Sequence, residues 1–179
     1  LGFTPTETTI KTVLCTMRGI ALHDGEEHPV YLRSAPLPCG GYMIDLTDEL
    51  WRAVEVTATG LRVVDQPSVR FIRSGTAAPF PLSDLSGSVD LLWQHVNIPE
   101  QDRPLAQAFI LESWRPDTPY LMLELCGEQG SAKSSTHERL RQCSDPNTVP
   151  LRAAPKNCED IFVTAANNHQ ASFENMSGI

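Results

Sequence analysis

The stretch CGEQGSAKSS, residues 126–135, places glycines, one lysine and hydroxyl side chains at the spacing of a phosphate-binding loop. Such a loop binds phosphate through backbone N–H groups at a glycine turn and at the start of the helix that follows. Gly127 and Gly130 would allow the turns, the Lys133 ammonium would reach the β- and γ-phosphates, and the Ser134 hydroxyl would ligate Mg²⁺. The predicted nucleotide-binding residues are Gly127, Glu128, Gln129, Gly130, Ser131, Ala132, Lys133, Ser134 and Ser135.

The loop departs from the usual pattern G-x-x-x-x-G-K-[ST] at Ala132, where a glycine is expected before the lysine. The extra methyl group is tolerated if φ at this position is negative, and it costs about 1–2 kcal/mol if φ is positive. Gly130 compensates in part, because it frees the middle of the loop. The alternative is a chance glycine turn, but the apolar segment before the loop and the helix-like segment after it favour a nucleotide site.

A nucleotide-hydrolysing enzyme also needs an acidic side chain that holds Mg²⁺ from the end of a neighbouring strand. Glu174 is the best candidate, and we predict that it acts with Lys133 in catalysis and with Ser134 at the metal. The alternative for Glu174 is an ordinary surface glutamate. Asp160 precedes a predicted strand and would lie at the wrong end of it, and Asp145 is expected to cap a turn.

The segments on both sides of the loop predict a strand, the loop, a helix and further strands. The apolar run YLMLELC (120–126) predicts a buried strand, and SSTHERLRQC (134–143) predicts the helix behind the loop. IFVTAA (161–166) predicts another strand, and QASFEN (170–175) is a weaker strand candidate.

Two segments before the loop, 88–98 and 101–115, have the apolar spacing of helices. In the second, Asp102 can cap the helix and Pro104 suits its first turn. The apolar stripe predicted for this helix comprises Leu105, Ala108, Phe109, Leu111 and Trp114. We expect Trp93 and Trp114 to be core residues rather than ligand platforms.

The first half of the chain predicts a small β-rich module with a leading helix. Ile10, Val13, Leu14 and Met17 have helical spacing. Short β-branched or aromatic runs then follow over residues 31–74, and Thr59-Gly60 between two of them predicts a hairpin. Residues 75–90 are rich in proline, glycine and serine and predict a linker.

Together these patterns predict an α/β fold in two parts: the β-rich module over residues 1–86 and a partial P-loop NTPase core over 87–179. Such a core normally has about five parallel strands covered by helices on both faces. Only three strands of that kind can be found here. Because the chain begins with Leu1 rather than methionine, we expect it to be a piece of a longer protein.

Composition limits the function classes. The net charge of −8 gives no bulk attraction to nucleic acid, although a local stripe of Arg52, Arg62, Arg70 and Arg73 could face DNA. The alternative is ordinary solvated arginines that alternate with Glu55 and Asp65. We find no apolar run long enough to cross a membrane, and so expect no membrane partner. The five cysteines include no C-x-x-C pair, which favours reduced thiols in the cytoplasm over zinc or disulfides.

The segments LCGEQGSAKSS, DPNTVPLRAAPKNCEDIFVTAANN and FENMSGI together resemble a family of bacterial and phage P-loop ATP-binding proteins, related to primase-associated, helicase-like ATPases of mobile elements. Residues 44–83 resemble the β-rich segment before the ATPase core of that family. The resemblance implies ATP and Mg²⁺ as ligands, alanine as a usual residue at 132, and Glu174-Asn175 as the acidic pair of the second nucleotide motif. It also implies a DNA partner and a homo-oligomer.

Three functions remain open from the sequence. The first is Mg-ATP binding and hydrolysis by a replication-type ATPase module. The second is a truncated or degenerate relative that binds nucleotide weakly or serves as an interaction module, because family members continue past residue 179 with further strands and an arginine that acts in trans. The third is a small-molecule kinase, which would need a substrate lid and an acid that activates the acceptor.

Overall fold

The computed structural model describes residues 4–81 and 87–176 and gives them a mixed α/β fold. The helices and strands of these residues are α1 (Glu7–His23), β1 (Val30–Tyr31), β2 (Ser34–Pro36), β3 (Tyr42–Asp45), β4 (Ala53–Thr57), β5 (Gly60–Val64), β6 (Arg70–Phe71), α2 (Arg103–Ser113), α3 (Lys133–Ser144) and α4 (Cys158–Asn167). Two short 3₁₀ turns, Val89–Gln94 and Glu100–Asp102, precede α2. The mixed α/β class is therefore confirmed at this level.

Helix α1 confirms the predicted N-terminal helix and contacts the rest of the chain little. Thr6 caps it, because its Oγ1 accepts a hydrogen bond of 3.3 Å from the N–H of Thr9. An ion pair of 2.7 Å between Glu7 and Lys11 spans the first turn. No side chain of α1 is buried, and its apolar stripe faces solvent.

The antiparallel sheet has the order β2-β3-β4-β5 and holds four of the eight buried apolar residues of the described chain, Ala35, Met43, Ile44 and Ala53. Strands β4 and β5 form the predicted hairpin, closed by the pairing of Thr57 with Gly60, whose φ is +137°. Strand β3 is central, with Met43 and Ile44 buried. Each such side chain contributes about 1.5–3 kcal/mol through removal of its apolar surface from water.

The parallel sheet consists of β1 and β6 alone, with Val30 paired to Arg70 and Tyr31 to Phe71. It lies in the N-terminal half and is not the parallel sheet that the sequence predicts around the glycine loop.

The strand predicted for residues 120–126 is wrong: this segment belongs to neither sheet. A strand buried in a parallel sheet needs cover on both faces. Here Tyr120, Leu121 and Met122 are all more than half exposed, and Met122 reaches 95%.

The strand predicted for residues 161–166 is also wrong, because these residues lie inside α4. The Asn157 side chain caps this helix by accepting a hydrogen bond of 2.9 Å from the N–H of Asp160. Glu159 and Asp160 in its first turn favour the helix dipole. A short apolar run does not distinguish helix from strand, and here the local cap decides it.

The two helices predicted before the loop are shorter than expected. Only Val89–Gln94 of the segment 88–98 is helical, as a 3₁₀ turn, and α2 covers Arg103–Ser113 without a side-chain cap from Asp102. The buried face of α2 is also different from the predicted stripe: Ala106 and Ile110 are buried, whereas Leu105 is 69% exposed.

Three buried charged residues, Arg33, Arg141 and Asp145, form a cluster that we call the arginine–aspartate cluster. Arg33 Nε donates to Asp145 Oδ1 at 3.1 Å, and an Arg141 guanidinium nitrogen lies 3.4 Å from Asp145 Oδ2. Arg33 also donates to the carbonyl oxygens of Asp45 and Pro146. The cluster therefore joins the β-rich half of the chain to the C-terminal end of α3.

Residues 76–80, inside the predicted linker, are held on both sides. Ala77 pairs with Asn147 in an antiparallel bridge, and the N–H of Phe80 donates 2.8 Å to the carbonyl of Leu46. The predicted boundary between residues 86 and 87 falls at residues 82–86, which lie outside the described residues, so the division into two domains stays a prediction.

Candidate functional site

The loop of residues 127–132 leads directly into α3, which confirms the helix predicted for 134–143 and begins one residue earlier, at Lys133. Gly130 and Ala132 both have positive φ, +84° and +59°. Ala132 thus occupies the left-handed conformation that favours glycine, at a cost of about 1–2 kcal/mol. A side chain at Gly127 would place its Cβ 2.8 Å from Ser131 Oγ, so a larger residue here would have to displace the Ser131 side chain.

Lys133 folds back over the loop. Its Nζ donates to the carbonyl oxygens of Gly127 at 2.7 Å and Glu128 at 2.6 Å, and lies 3.4 Å from Ser131 Oγ. The Lys133 ammonium therefore lies against the backbone of the loop. In a phosphate-binding loop this is where a positive charge would face the bound phosphate.

The start of α3 lacks a side-chain cap, because Ala132 at the cap position has no oxygen to offer. The first N–H groups of a helix have no intrahelical partner and form a natural anion site. The first turn of α3 also carries no acidic residue that would repel an anion.

Ser134 and Glu174, the two predicted metal ligands, lie together although 40 residues separate them: Ser134 Oγ is 3.4 Å from Glu174 Oε2. The position of Glu174 follows from a parallel bridge between Arg152 and Phe173. The N–H of Glu174 donates 2.8 Å to the carbonyl of Arg152, and the N–H of Arg152 donates 3.0 Å to the carbonyl of Ser172. The weak strand candidate 170–175 thus becomes the element that positions the acid.

The far end of α3 holds both segments of that bridge. Arg141 donates 2.6 Å to the carbonyl of Pro150, and the carboxylate of Asp145 accepts 3.1 Å from the N–H of Gln170. One helix therefore carries Ser134 at its start and, through Arg141 and Asp145, fixes the segment with Glu174 at its end.

A hydroxyl and a carboxylate are hard oxygen donors of the kind that Mg²⁺ prefers, and Mg²⁺ usually keeps several waters or phosphate oxygens beside one or two protein ligands. Within residues 4–81 and 87–176 no group of three histidine, cysteine, aspartate or glutamate side chains comes together. Ser134 and Glu174 fit a magnesium ion that is shared with a nucleotide better than a metal held by protein alone.

His137 lies one turn after Ser134 and is half buried. Burial is the main cause that lowers the pKa of His137, with Arg141 acting in the same direction and the Glu174 carboxylate in the opposite one. At neutral pH His137 is therefore uncharged, and Lys133 supplies the positive charge of the loop.

The other predicted loop residues have simpler surroundings. The carbonyl of Glu128 accepts from Lys133 and from the N–H of Ser131, whereas Gln129 and Ser135 are exposed. Asn175, next to Glu174, has a φ of +56°, a conformation that asparagine tolerates better than most residues.

The predicted arginine stripe is largely engaged by acids. Arg62 pairs with Glu55 at 3.0 Å, Arg52 with Asp48, and Arg73 with the buried Asp45 at 2.6 Å. Three of the four arginines are therefore already paired with acids, and Arg73, whose side chain is 13% exposed, is not a solvated surface arginine.

Asn97 is a site residue that the sequence did not indicate. Its side-chain Nδ2 donates 2.9 Å to the carbonyl of Ser131, and its backbone N–H donates 2.9 Å to Thr136 Oγ1. Nothing in the run QHVNI distinguishes Asn97 from a surface asparagine, since both contacts are to residues more than 30 positions away.

A separate shallow concavity of about 730 Å³ lies over the β4–β5 turn, far along the chain from the loop. The charged pair in its wall, Arg62 and Glu55, is already satisfied internally. This concavity contains no residue of the glycine loop.

No described helix has the length and apolar character needed to cross a bilayer. Comparison of the chain with protein-family models, with curated proteins and with solved structures gives no match. The function must therefore be inferred from the geometry of the site.

Proposed function

We propose that residues 127–135 are the phosphate-binding loop of a Mg-ATP site. The observation that carries this proposal is the meeting of three groups around one loop: the Lys133 ammonium at its centre, and the Ser134 hydroxyl 3.4 Å from the Glu174 carboxylate at its edge. A chance glycine turn has no reason to bring an acid from 40 residues away to the serine after the lysine.

Each residue has a distinct role in this proposal. The backbone N–H groups of the loop and of the first turn of α3 bind the phosphate oxygens, and Lys133 neutralises their charge. Ser134 ligates Mg²⁺, and Glu174 orients the ion and its water. Mg²⁺ supplies charge neutralisation at the transferred phosphoryl group.

The wider setting is proposed on less direct grounds. The resemblance of the loop segments to mobile-element ATPases supports a role in replication, with DNA as a partner and a homo-oligomer as the working assembly. A reducing, cytoplasmic location is proposed from the sequence, because its five cysteines include no C-x-x-C pair.

A second candidate is nucleotide binding without turnover, in an interaction module. The observation that favours it is the exposed apolar surface on α1 and α4, where Leu14 is 59% and Phe162 73% exposed. Large exposed apolar patches mark interaction surfaces. Phosphate release that is stimulated by single-stranded DNA would favour the ATPase, and binding without any release would favour this second candidate.

The binding test is a titration with a fluorescent ATP analogue, with and without Mg²⁺. Lys133→Ala removes charge-assisted hydrogen bonds to phosphate, so we expect the affinity to fall about tenfold or more. Lys156→Ala is the matched control, because Lys156 is an exposed lysine on the connection before α4. Equal affinity of wild type and Lys133→Ala would refute the phosphate loop.

The same titration tests the metal site. Glu174→Gln keeps the size of the side chain and removes its charge, so we expect the gain in affinity on adding Mg²⁺ to shrink while the Mg-free affinity stays the same or rises. Glu159→Gln, at an exposed position in α4, should leave the Mg²⁺ effect unchanged. A full Mg²⁺ effect in Glu174→Gln would remove Glu174 from the site.

A further inference from the structure

Asn97, from a segment that the loop motif does not include, contacts the proposed phosphate loop once and the first turn of α3 once. Its Nδ2 donates to the carbonyl oxygen of Ser131, and its backbone N–H donates to Thr136 Oγ1, both at 2.9 Å. We propose that Asn97 is a positioning residue that holds the Ser131–Ala132 peptide in the orientation that phosphate binding needs. This inference rests on the proposed nucleotide function of the loop.

The side chain of Asn97 fixes the orientation of the Ser131–Ala132 peptide. No peptide bond in the described residues is cis, so the carbonyl of Ser131 and the N–H of Ala132 point in opposite directions. A hydrogen bond that fixes the carbonyl toward Asn97 therefore fixes the N–H away from it. Consecutive N–H groups of a turn with a left-handed residue are the donors of anion-binding loops, and Ala132 is that left-handed residue.

The backbone is strained at Ala132, directly after the carbonyl that Asn97 contacts. Ala132 has φ +59°, which an alanine adopts at a cost, so the loop needs an external contact to hold this conformation before phosphate arrives. Asn97 supplies that contact, since its amide group reaches the carbonyl directly before Ala132.

The two contacts of Asn97 come from different groups: its side chain contacts the Ser131 carbonyl, and its backbone N–H contacts Thr136. Thr136 is buried, and its N–H donates 2.9 Å to the carbonyl of Ala132, so the contact of Asn97 with Thr136 anchors the first turn of α3. That contact comes from the backbone of Asn97 and survives any substitution of its side chain except proline. Asn97→Ala therefore removes the hold on the Ser131 carbonyl while the segment stays docked.

The experiment measures affinity for the fluorescent ATP analogue and for inorganic tripolyphosphate, the latter by competition. For Asn97→Ala we expect both affinities to fall by a similar factor, about fivefold to tenfold, because the phosphates are the groups that the loop binds. The matched control is Asn167→Ala: Asn167 is also an exposed asparagine whose Nδ2 donates to a backbone carbonyl, that of Val163, at 2.8 Å. It should leave both affinities unchanged.

A spectroscopic readout distinguishes positioning from a general loss of structure. In protein labelled with ¹⁵N-alanine, the Ala132 amide resonance is assigned through its disappearance in Ala132→Gly. We expect it to shift on addition of tripolyphosphate in the wild type and to shift much less in Asn97→Ala, while the other alanine resonances stay in place. If Asn97→Ala folds poorly, Asn97→Ser, whose shorter side chain does not reach the Ser131 carbonyl, serves in its place.

Each outcome decides one point. If Lys133→Ala loses affinity and Asn97→Ala binds like wild type, the proposal for Asn97 is overturned and the phosphate loop stands. If Asn97→Ala loses affinity for the ATP analogue but not for tripolyphosphate, Asn97 acts on the base or sugar and the positioning role is overturned. If Lys133→Ala also binds like wild type, the proposed function fails, and the inference fails with it.

Discussion

Ala132 is the residue at which the loop departs from the usual glycine, and it has the left-handed backbone that makes the departure costly. The methyl group is exposed, so no packing compensates for it. The energetic effect of this residue is therefore backbone strain and little else, which makes it a direct test of the loop conformation.

We predict that Ala132→Gly raises the free energy of unfolding by about 0.5–1 kcal/mol, because relief of the strain exceeds the extra freedom that glycine gains in the unfolded chain. Urea unfolding followed by circular dichroism measures it. Ala108→Gly is the matched control: Ala108 is exposed in the middle of α2, and the change there should lower the free energy of unfolding by about 1 kcal/mol. A loss of the same size in both variants would contradict the left-handed conformation of Ala132.

Among elements, α3 connects the largest number of features of the site. It begins at Lys133 and ends at the arginine–aspartate cluster, where Arg141 and Asp145 hold the two segments that carry Arg152 and Glu174. The same helix thus carries Ser134 in its first turn and, at its end, contacts the two segments that place Glu174 beside Ser134.

We predict that Asp145→Asn lowers the free energy of unfolding by about 3 kcal/mol, because it leaves the buried Arg33 and Arg141 without their counter-charge. Urea unfolding again measures the change. Asp65→Asn, at an exposed aspartate, is the control and should alter stability by less than about 0.5 kcal/mol. If Asp145→Asn also changed the free energy of unfolding by less than about 0.5 kcal/mol, the arginine–aspartate cluster would contribute little to stability.

For the molecule as a whole, stability should depend on pH through His169, which joins the end of α2 to the segment after α4. Its Nε2 contacts the carbonyl of Ser113, and its ring packs edge-on against Tyr120 at 5.7 Å. Burial is the largest cause that lowers the pKa of His169; the Ser113 contact and Asp145 oppose it, and Arg33 adds to it.

Because the folded state holds His169 neutral, the unfolded chain binds more protons below its ordinary histidine pKa of about 6.5. The stabilising contribution is therefore complete above that pH and declines as the pH falls below it. We predict that His169→Gln flattens the fall in stability between about pH 6.5 and pH 5 relative to wild type, measured by urea unfolding at several pH values. His23→Gln, at an exposed histidine of α1, should keep the wild-type slope; an unchanged slope in His169→Gln would contradict the prediction.

The sequence predicts best what local chemistry determines. The helix behind the loop, the hairpin at Thr59-Gly60 and the N-terminal helix each depend on turn residues, caps or helical spacing within a few positions, and all three are present. Ser134 and Glu174, which the sequence assigns to one magnesium ion, lie 3.4 Å apart, and the metal site itself stays a prediction.

The rest depends on contacts between distant parts of the chain. The apolar runs at 120–126 and 161–166 have no period that separates strand from helix, and partner segments or a cap decide between them. Arg33 and Asp145 meet across 112 positions, and Asn97 meets Ser131 across 34. Polar residues of this kind look like surface residues until the fold buries or pairs them.

The back-folded Lys133 has a thermodynamic consequence for any ligand of the loop. Its ammonium already has two carbonyl oxygens as partners, so an incoming phosphate must displace internal hydrogen bonds before it gains its own. Phosphate binding then exchanges one hydrogen-bond acceptor of Lys133 for another. The binding enthalpy should therefore be less favourable than the new hydrogen bonds alone would give. A calorimetric titration would measure the enthalpy difference between Lys133 bonded to the loop carbonyls and Lys133 bonded to phosphate.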